Sequence, residues 1–199
     1  MNLILVRHGK TNWNELGRCQ GVSDIPLNQN GLAQADKLAY SLKDENLDVI
    51  YSSDLQRAVV TAQKVAEFHS LEVNIENKFR EMDQGEFEGL DFSYIREKYS
   101  DVLKHWRESP ETLTIPGGES LTDVQNRAYD AVLNLIEEYN SKTVLVVSHN
   151  LTIITLLCKF HGKSMKSFRE FMVSECSKSI IEFKNGDFHV KLVNDISHL

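Results

Sequence analysis

Cysteine is scarce in this chain, and its spacing excludes two classes of protein. Only three cysteines occur among the 199 residues, Cys19, Cys158 and Cys176, and no two of them form a Cys-x-x-Cys pair. An odd number without that spacing supports neither a disulfide framework nor a zinc ribbon. We therefore expect reduced thiols and a cytoplasmic protein.

The sequence also lacks a long apolar run. Residues 1–10 contain no basic segment of the kind that opens a signal peptide, and their apolar stretch spans only residues 3–6. That stretch is far too short for a signal peptide or a membrane span. The sequence thus predicts a soluble intracellular protein with no membrane partner.

Positive charge is in deficit. The chain has 22 Lys and Arg against 29 Asp and Glu, which gives a formal net charge of −7. No basic stripe is available to neutralise a nucleic-acid backbone, so we expect no nucleic-acid partner. The same charge repels a small phosphorylated molecule at long range. Any affinity for phosphate must come from a few arginines gathered in one pocket.

The length and composition fit one domain. A chain of 199 residues with 41% hydrophobic content can bury one sizeable core, and no repeat or Pro/Gly-rich linker divides it. We predict a single domain over residues 1–199. One long irregular region, residues 79–119, is rich in aromatic residues, and within it we predict a small helical cap insertion at about 85–118 that covers the substrate. A packed two-helix appendage is the alternative.

Apolar, β-branched segments alternate with helical patterns. The strands are predicted at residues 2–6, 48–51, 72–75, 143–147, 179–183 and 188–193, and helical faces at 32–42, 55–66 and 121–139. Several of these strands are apolar throughout, which is typical of parallel strands covered on both faces. The alternation predicts an α/β fold, a three-layer sandwich with a mostly parallel central sheet. A hairpin at Asn185-Gly186 predicts one antiparallel edge strand.

Polar residues follow three of the predicted strands. The first strand ends in Arg7 and His8, the second leads through two serines to Arg57, and the fourth ends in His149 and Asn150. Ligands of open α/β sheets bind beyond the carboxyl ends of the strands. Two histidines and two arginines are therefore expected to meet at one edge of the sheet.

These residue types suit phosphoryl transfer. A phosphate monoester is mostly dianionic at neutral pH, and the planar forks of Arg7 and Arg57 can bond two of its oxygens at once. Nearby cationic groups favour a neutral His8, the form that attacks phosphorus. His149 is expected to donate to the equatorial oxygens, aided by free amides at the start of the helix that follows it.

The leaving oxygen needs a proton. A carboxyl group in a partly dry pocket beside phosphate can supply it. Glu81 follows a strand and precedes the cap, so it is the candidate. Asp83 and Glu86 are alternatives that the sequence leaves open.

Several short sequence motifs resemble those of a known protein family. They are RHGKTNWN (7–14), QG (20–21), SSDLQRAVVTA (52–62), REMDQGEFEG (80–89), PGGES (116–120) and VSH (147–149). Arg-His-Gly alone is a weak signal, but these motifs in this order are highly specific. Together they resemble the histidine phosphatase, or phosphoglycerate mutase-like, superfamily, and the resemblance extends from residue 1 to about 158.

The resemblance implies a role for each matching residue. His8 would be the phosphorylated nucleophile, and Arg7, Arg57 and His149 would form the phosphate pocket. Glu81 would be the proton donor. No cofactor and no metal ion are implied.

The resemblance also implies that Asn14 and Gln20 touch the phosphate or the rest of the substrate. We predict Gly21 and Asn150 as further substrate-binding residues. Asn150 departs from the family, which usually has glycine after the second histidine. Asparagine tolerates a left-handed or N-cap conformation. We therefore expect the catalytic loop to form, with a changed substrate preference beside it.

We interpret the chain as a metal-independent phosphomonoesterase that hydrolyses small phosphate monoesters through a phosphohistidine on His8. Its partner would be a small phosphorylated metabolite. One alternative is a cofactor-dependent phosphoglycerate mutase, which the shortness of the chain disfavours. Another is a catalytically inactive module that binds phosphorylated ligands. The natural substrate and the oligomeric state stay open.

Overall fold

The apolar segments form one six-stranded sheet in the computed structural model, which describes residues 1–199. The strands are β1 (Asn2–Arg7), β2 (Val49–Ser52), β3 (Val73–Ile75), β4 (Thr143–Ser148), β5 (Lys178–Lys184) and β6 (Asp187–Asp195), in the order β3-β2-β4-β1-β5-β6. The first four run parallel, whereas β5 is antiparallel to β1 and β6 is antiparallel to β5. The predicted mostly parallel sheet with an antiparallel edge is confirmed.

Seven α-helices connect these strands. They are α1 (Asn12–Glu15), α2 (Gln29–Leu42), α3 (Gln56–His69), α4 (Phe92–Lys98), α5 (Ser100–Glu108), α6 (Leu121–Glu138) and α7 (Asn150–Phe160). Short 3₁₀ helices lie at Asn77–Phe79, Gly85–Phe87 and Met165–Glu170. No helix is both long enough and apolar enough to cross a bilayer.

The sheet separates two apolar cores, which explains why its central strands are apolar on both faces. Ile4 and Val6 of β1 pack with α2 and α3 on one side. Leu3 and Leu5 pack with α6 and α7 on the other. Alternate side chains of a strand point to opposite faces. The predicted three-layer sandwich is thus confirmed.

The final hairpin turns at the two residues that predict it. Asn185 and Gly186 both have positive φ, 55° and 88°. A two-residue turn with positive φ at both positions matches the twist of the strands that it joins. This geometry pairs β5 with β6 along their length.

Residues 85–118 form a helical excursion beyond the strand ends. Backbone bonds join its first part to the loop after α1, from the amide of Cys19 to the carbonyl of Leu90 (2.9 Å) and from the amide of Phe92 to the carbonyl of Gly17 (3.0 Å). Its α5 is held from another side, where Trp106 packs edge-on against Phe168. The segment is therefore anchored at two places and includes α4 and α5.

Candidate active site

The carboxyl ends of β1, β2 and β4 lie level with one another. The register pairs Arg7 with Ser148 and Ser52 with Val147, so the chain leaves three neighbouring strands at the same height. As a result the rings of His8 and His149 lie 5.0 Å apart, centroid to centroid. The structure thus brings together residues that are 141 positions apart in the sequence.

A cavity of about 470 Å³ opens at this edge of the sheet. Its walls come from the loop after β1, from the segment 85–118 and from the start of α7. His149 is fully buried beside His8 and does not line the cavity. The predicted residues that do line it are Arg7, His8, Asn14, Gln20, Gly21, Arg57, Glu81 and Asn150.

His8 presents one ring nitrogen for chemistry. Its Nδ1 lies 2.6 Å from the carbonyl oxygen of Gly9. A carbonyl can only accept, so Nδ1 carries the proton and Nε2 keeps its lone pair. Burial, followed by the positive charges of Arg57 and Arg7, holds the pKa of His8 well below its usual value. His8 is consequently a neutral imidazole with a free nucleophilic nitrogen at physiological pH.

Ser53 determines the tautomer of His149. The Ser53 hydroxyl lies 2.6 Å from Nε2 of His149 and accepts a long bond (3.4 Å) from the Leu55 amide. Because the hydroxyl has no other acceptor within hydrogen-bond distance, its proton points to Nε2, which places the ring proton of His149 on Nδ1. Burial and then the charge of Arg57 lower the pKa of His149 well below its usual value. The neutral ring is therefore a single-proton donor at Nδ1.

The two arginine forks are anchored by the protein itself. The terminal nitrogens of Arg7 donate to the carbonyl oxygen of Val173 (2.6 Å) and to Oε1 of Glu175 (3.2 Å). Those of Arg57 donate to the carbonyl oxygens of Ser23 and Gly21 (both 2.7 Å). The predicted role, in which each fork bonds two phosphate oxygens at once, has to share these nitrogens with the protein. Buried guanidinium groups need several acceptors, so part of each fork is satisfied locally. Burial lowers the pKa of Arg57 to about 10, which leaves it charged at neutral pH.

Three buried nitrogens of the residues that flank His8 have no hydrogen-bond partner. They are Nε of Arg7, Nε of Arg57 and Nδ1 of His149. A buried donor without an acceptor costs about 1–3 kcal/mol, so such groups mark a place where acceptor atoms bind. An oxyanion such as phosphate carries enough acceptor oxygens for all three.

Glu81 occupies the start of α7. Its carboxyl oxygens accept bonds from the amides of Leu151 (3.2 Å) and Thr152 (3.3 Å), and also from its neighbour Met82 (2.9 Å). Two of the first amides of this helix, expected to be free for the phosphate, are therefore taken by Glu81. A carboxyl group that is only 9% exposed needs several donors, and the helix terminus supplies them.

The geometry separates the three carboxyl candidates. Glu81 lines the cavity, whereas Asp83 and Glu86 do not. Asp83 accepts the amide of Gly85 at 2.8 Å, and Glu86 is exposed to solvent. Only Glu81 of the three is placed to reach a group in the cavity.

Asn150 has an ordinary helical backbone. It is the first residue of α7, its φ is not positive, and the N-cap is His149 instead. The left-handed or N-cap conformation expected for Asn150 is thus not used. Since this position does not need glycine, an asparagine side chain can project into the cavity at no conformational cost.

Four supporting residues escaped the sequence analysis. Thr11 donates its backbone amide to Oδ1 of Asn14 (3.0 Å) and its hydroxyl to Oε1 of Gln20 (2.9 Å), and so holds both side chains. Thr61 accepts the amide of Gly9 (3.1 Å). Ser53 is the third, through its bond to His149. Arg127 is the fourth, and it donates to the carboxylate of Glu119 and to the backbone carbonyls of residues 78, 80 and 81. Ser53 and Thr61 lie in the motif SSDLQRAVVTA, but nothing in the sequence marks Arg127.

Comparison with known proteins places this geometry in a family. The profile of the histidine phosphatase superfamily (branch 1) matches residues 3–196. The chain is 36% identical over 199 residues to phosphoserine phosphatase 1 of Hydrogenobacter thermophilus, covering 100% of this chain and 94% of the relative.

Two solved structures have the same fold. Bacillus stearothermophilus YhfR superposes with a TM-score of 0.94 at 32% identity, over 99% of this chain and 98% of that one. A phosphoserine phosphatase from Entamoeba histolytica, solved in complex with phosphoserine, gives 0.89 at 30% identity over 100% and 98%. The match along nearly the whole chain, in both sequence and fold, shows that this protein belongs to the histidine phosphatase superfamily.

Proposed function

We propose that the protein hydrolyses small phosphate monoesters through a phosphohistidine on His8, without a metal ion. One observation carries the proposal. A neutral His8 with a free Nε2 lies among three buried donors that have no partner in the protein, on Arg7, Arg57 and His149. Positive and polar donors around a nucleophile are what a phosphoryl group requires in its transition state.

In the first step the phosphate accepts from these three donors, and Nε2 of His8 attacks phosphorus. A nitrogen–phosphorus bond forms while the phosphorus–oxygen bond to the alcohol breaks. Glu81, on the wall of the same cavity, donates a proton to the leaving oxygen. The products of this step are the free alcohol and phosphorylated His8.

In the second step water attacks phosphorus from the side that the alcohol has left. Glu81, now a carboxylate, takes a proton from that water, and the nitrogen–phosphorus bond breaks. Inorganic phosphate departs and His8 returns to its neutral form. Arg7 and Arg57 hold the oxyanion throughout, because guanidinium groups stay charged at working pH. They supply the charge stabilisation that a metal ion gives in other phosphatases.

The same site suggests the class of substrate, the role of the segment 85–118 and the cellular compartment. The cavity of about 470 Å³ suits a small phosphorylated metabolite. Phosphoserine, which the names of two relatives specify, is a candidate substrate. Residues 85–118 contribute a wall of the cavity and are proposed as the substrate cap of a single domain. Three free, buried thiols support a role in the reducing cytoplasm.

The test is phosphate release in the presence of a chelator. Wild type should hydrolyse p-nitrophenyl phosphate, and His8→Asn should lower the rate by about 10⁴-fold or more, since it removes the nucleophile. His189→Ala, at an exposed histidine of β6, is the matched control and should keep wild-type activity. Brief incubation with labelled substrate should leave an acid-labile, base-stable phosphate on wild type only.

Three outcomes would contradict the proposal. Activity that survives in His8→Asn would mean another nucleophile. Loss of activity with chelator would mean a metal ion. Interconversion of phosphoglycerates with a bisphosphoglycerate primer, at a rate above phosphate release, would mean a mutase.

A further inference from the structure

The cavity is strongly positive inside a negative protein. Four arginines line it, Arg7, Arg18, Arg57 and Arg96, against one acidic residue, Glu81. The chain as a whole has a net charge of −7. Arg7 and Arg57 are the two next to His8, whose pKa their charges lower. Arg18 and Arg96 have no part in the mechanism above and need a separate explanation.

These two arginines stand at the mouth of the cavity. Arg18 belongs to the loop that follows α1, and Arg96 belongs to α4 in the segment 85–118. Both are exposed, and neither guanidinium has a carboxylate oxygen within 4.0 Å. Two cations from different elements thus face one opening without a partner.

A neighbouring acid, Asp91, is already engaged. Asp91, whose backbone pairs with that of Arg18, accepts the amide (2.7 Å) and the hydroxyl (2.5 Å) of Ser93. These bonds lower the pKa of Asp91, and the charges of Arg96 and Arg18 lower it further. The three groups together carry a net charge of +1, which matches a single carboxylate better than a second dianionic phosphate.

We infer that the preferred substrates carry a carboxylate on the alcohol that leaves, and that Arg18 and Arg96 bind it. The inference rests on the proposed function and names its substrate class. A phosphate at His8 and a carboxylate at the mouth would occupy both positive regions of one cavity. Planar guanidinium groups pair with carboxylates through two parallel bonds, so the arginines orient the substrate as well as attract it.

Matched substrate pairs test this directly. O-phospho-L-serine has a carboxylate where O-phosphoethanolamine has a hydrogen, and 3-phosphoglycerate has one where glycerol 3-phosphate has a hydroxymethyl group. In wild type the carboxylated member should have the higher kcat/KM. Arg18→Gln and Arg96→Gln should each reduce that preference by about tenfold, and together by more, as expected for loss of a charge-assisted pair at a partly exposed site. The uncarboxylated members and p-nitrophenyl phosphate should change by less than about twofold.

The control is Arg107→Gln. Arg107 lies on α5, is exposed and does not line the cavity, so the substitution removes the same charge from the same segment. It should leave the preference unchanged. All three arginines are on the surface, so their variants should fold as wild type does.

Other outcomes overturn the inference. Equal losses for both members of a pair would mean that the two arginines only attract phosphate at long range. A larger loss for fructose 1,6-bisphosphate than for fructose 6-phosphate, with no effect on the carboxylated pairs, would mean a second phosphate. A wild type that hydrolyses both members equally refutes this inference alone, whereas one that hydrolyses no ester, p-nitrophenyl phosphate included, refutes the proposed function.

Discussion

Arg127 shows how one residue far from the reacting atoms can govern them. It lies in α6, and its guanidinium donates to the carbonyl oxygens of Lys78 (2.8 Å), Arg80 (2.7 Å) and Glu81 (2.9 Å). It also pairs with Glu119, whose carboxylate accepts the amide of Asp83. The backbone that presents Glu81 is thus held on both sides of that residue. We assign Arg127 as a positioning residue.

The variant Arg127→Lys tests this role. A lysine keeps the charge but has one nitrogen, which cannot reach three carbonyls and a carboxylate together. Proton donation matters for an alkoxide and much less for nitrophenolate, a leaving group that departs unprotonated. We expect kcat/KM, which reports only the steps up to formation of the phosphohistidine, to fall by about tenfold or more for O-phosphoethanolamine and by less than about threefold for p-nitrophenyl phosphate. Arg107→Lys should change neither, and an equal fall for both substrates would reduce Arg127 to a purely structural role.

Single residues also mark the limit of sequence reasoning at this site. His8 and Arg57 can be identified because each directly follows a strand or begins a helix, where position alone implies the sheet edge. Ser53 and Arg127 act through bonds to residues 96 and about 46 to 49 positions away, which no local pattern reveals. The sequence also points to Glu81, but it suggests that the first amides of α7 bind the phosphate. The structure shows that the side chain of Glu81 takes two of these amides, a contact that no local sequence pattern reveals.

At the scale of elements, α2 packs against the loop that carries the nucleophile. A Cβ atom at Gly31, in the first turn of α2, would lie 2.0 Å from the carbonyl oxygen of Lys10. One at Gly9 would lie 2.6 Å from the carbonyl oxygen of Gly31. Helix and loop are therefore in backbone contact, and Gly9 is also the residue whose carbonyl fixes Nδ1 of His8.

Replacing Gly31 with alanine should reverse the usual effect of that change. Within a helix, alanine is favoured over glycine by about 1 kcal/mol. Here the clash with backbone should lower the free energy of unfolding by about 2 kcal/mol and displace the loop, with a loss of kcat of about tenfold or more. Denaturant unfolding and steady-state kinetics measure both. Gln29→Ala, at the exposed first position of the same helix, should stay within about 0.5 kcal/mol of wild type, and a stable, active Gly31→Ala would show that α2 can move away freely.

The elements themselves were largely predictable, for a physical reason. A strand covered on both faces has to be apolar throughout, so β1 and β4 stand out in the sequence, and a two-residue turn with positive φ favours Asn-Gly. The secondary structure of the segment 85–118 is harder to predict, because short helices such as α4 and α5 depend on contacts with other parts of the chain. Its aromatic residues indicate burial but do not show that they face a cavity.

At the scale of the whole molecule, the active site makes stability depend on pH. His8 and His149 are 3% and 0% exposed, and burial, then nearby positive charge, lowers the pKa of each well below the usual value. In the unfolded chain both histidines titrate near pH 6.5. Below that pH the unfolded state binds more protons than the folded state, so acid favours unfolding.

The free energy of unfolding should therefore fall as pH drops from 7.5 to 5.5, by about 1.4 kcal/mol for each of the two histidines. His8→Asn removes one titrating group and should remove about half of that decline. The buffer has to be free of phosphate, since a bound anion would stabilise the folded state and mask the effect. His189→Ala is the control, because that histidine is exposed and should leave the slope as it is. A slope that His8→Asn does not change would mean that His8 binds protons in the folded protein as readily as in the unfolded chain, and that burial and the two arginines do not hold it neutral.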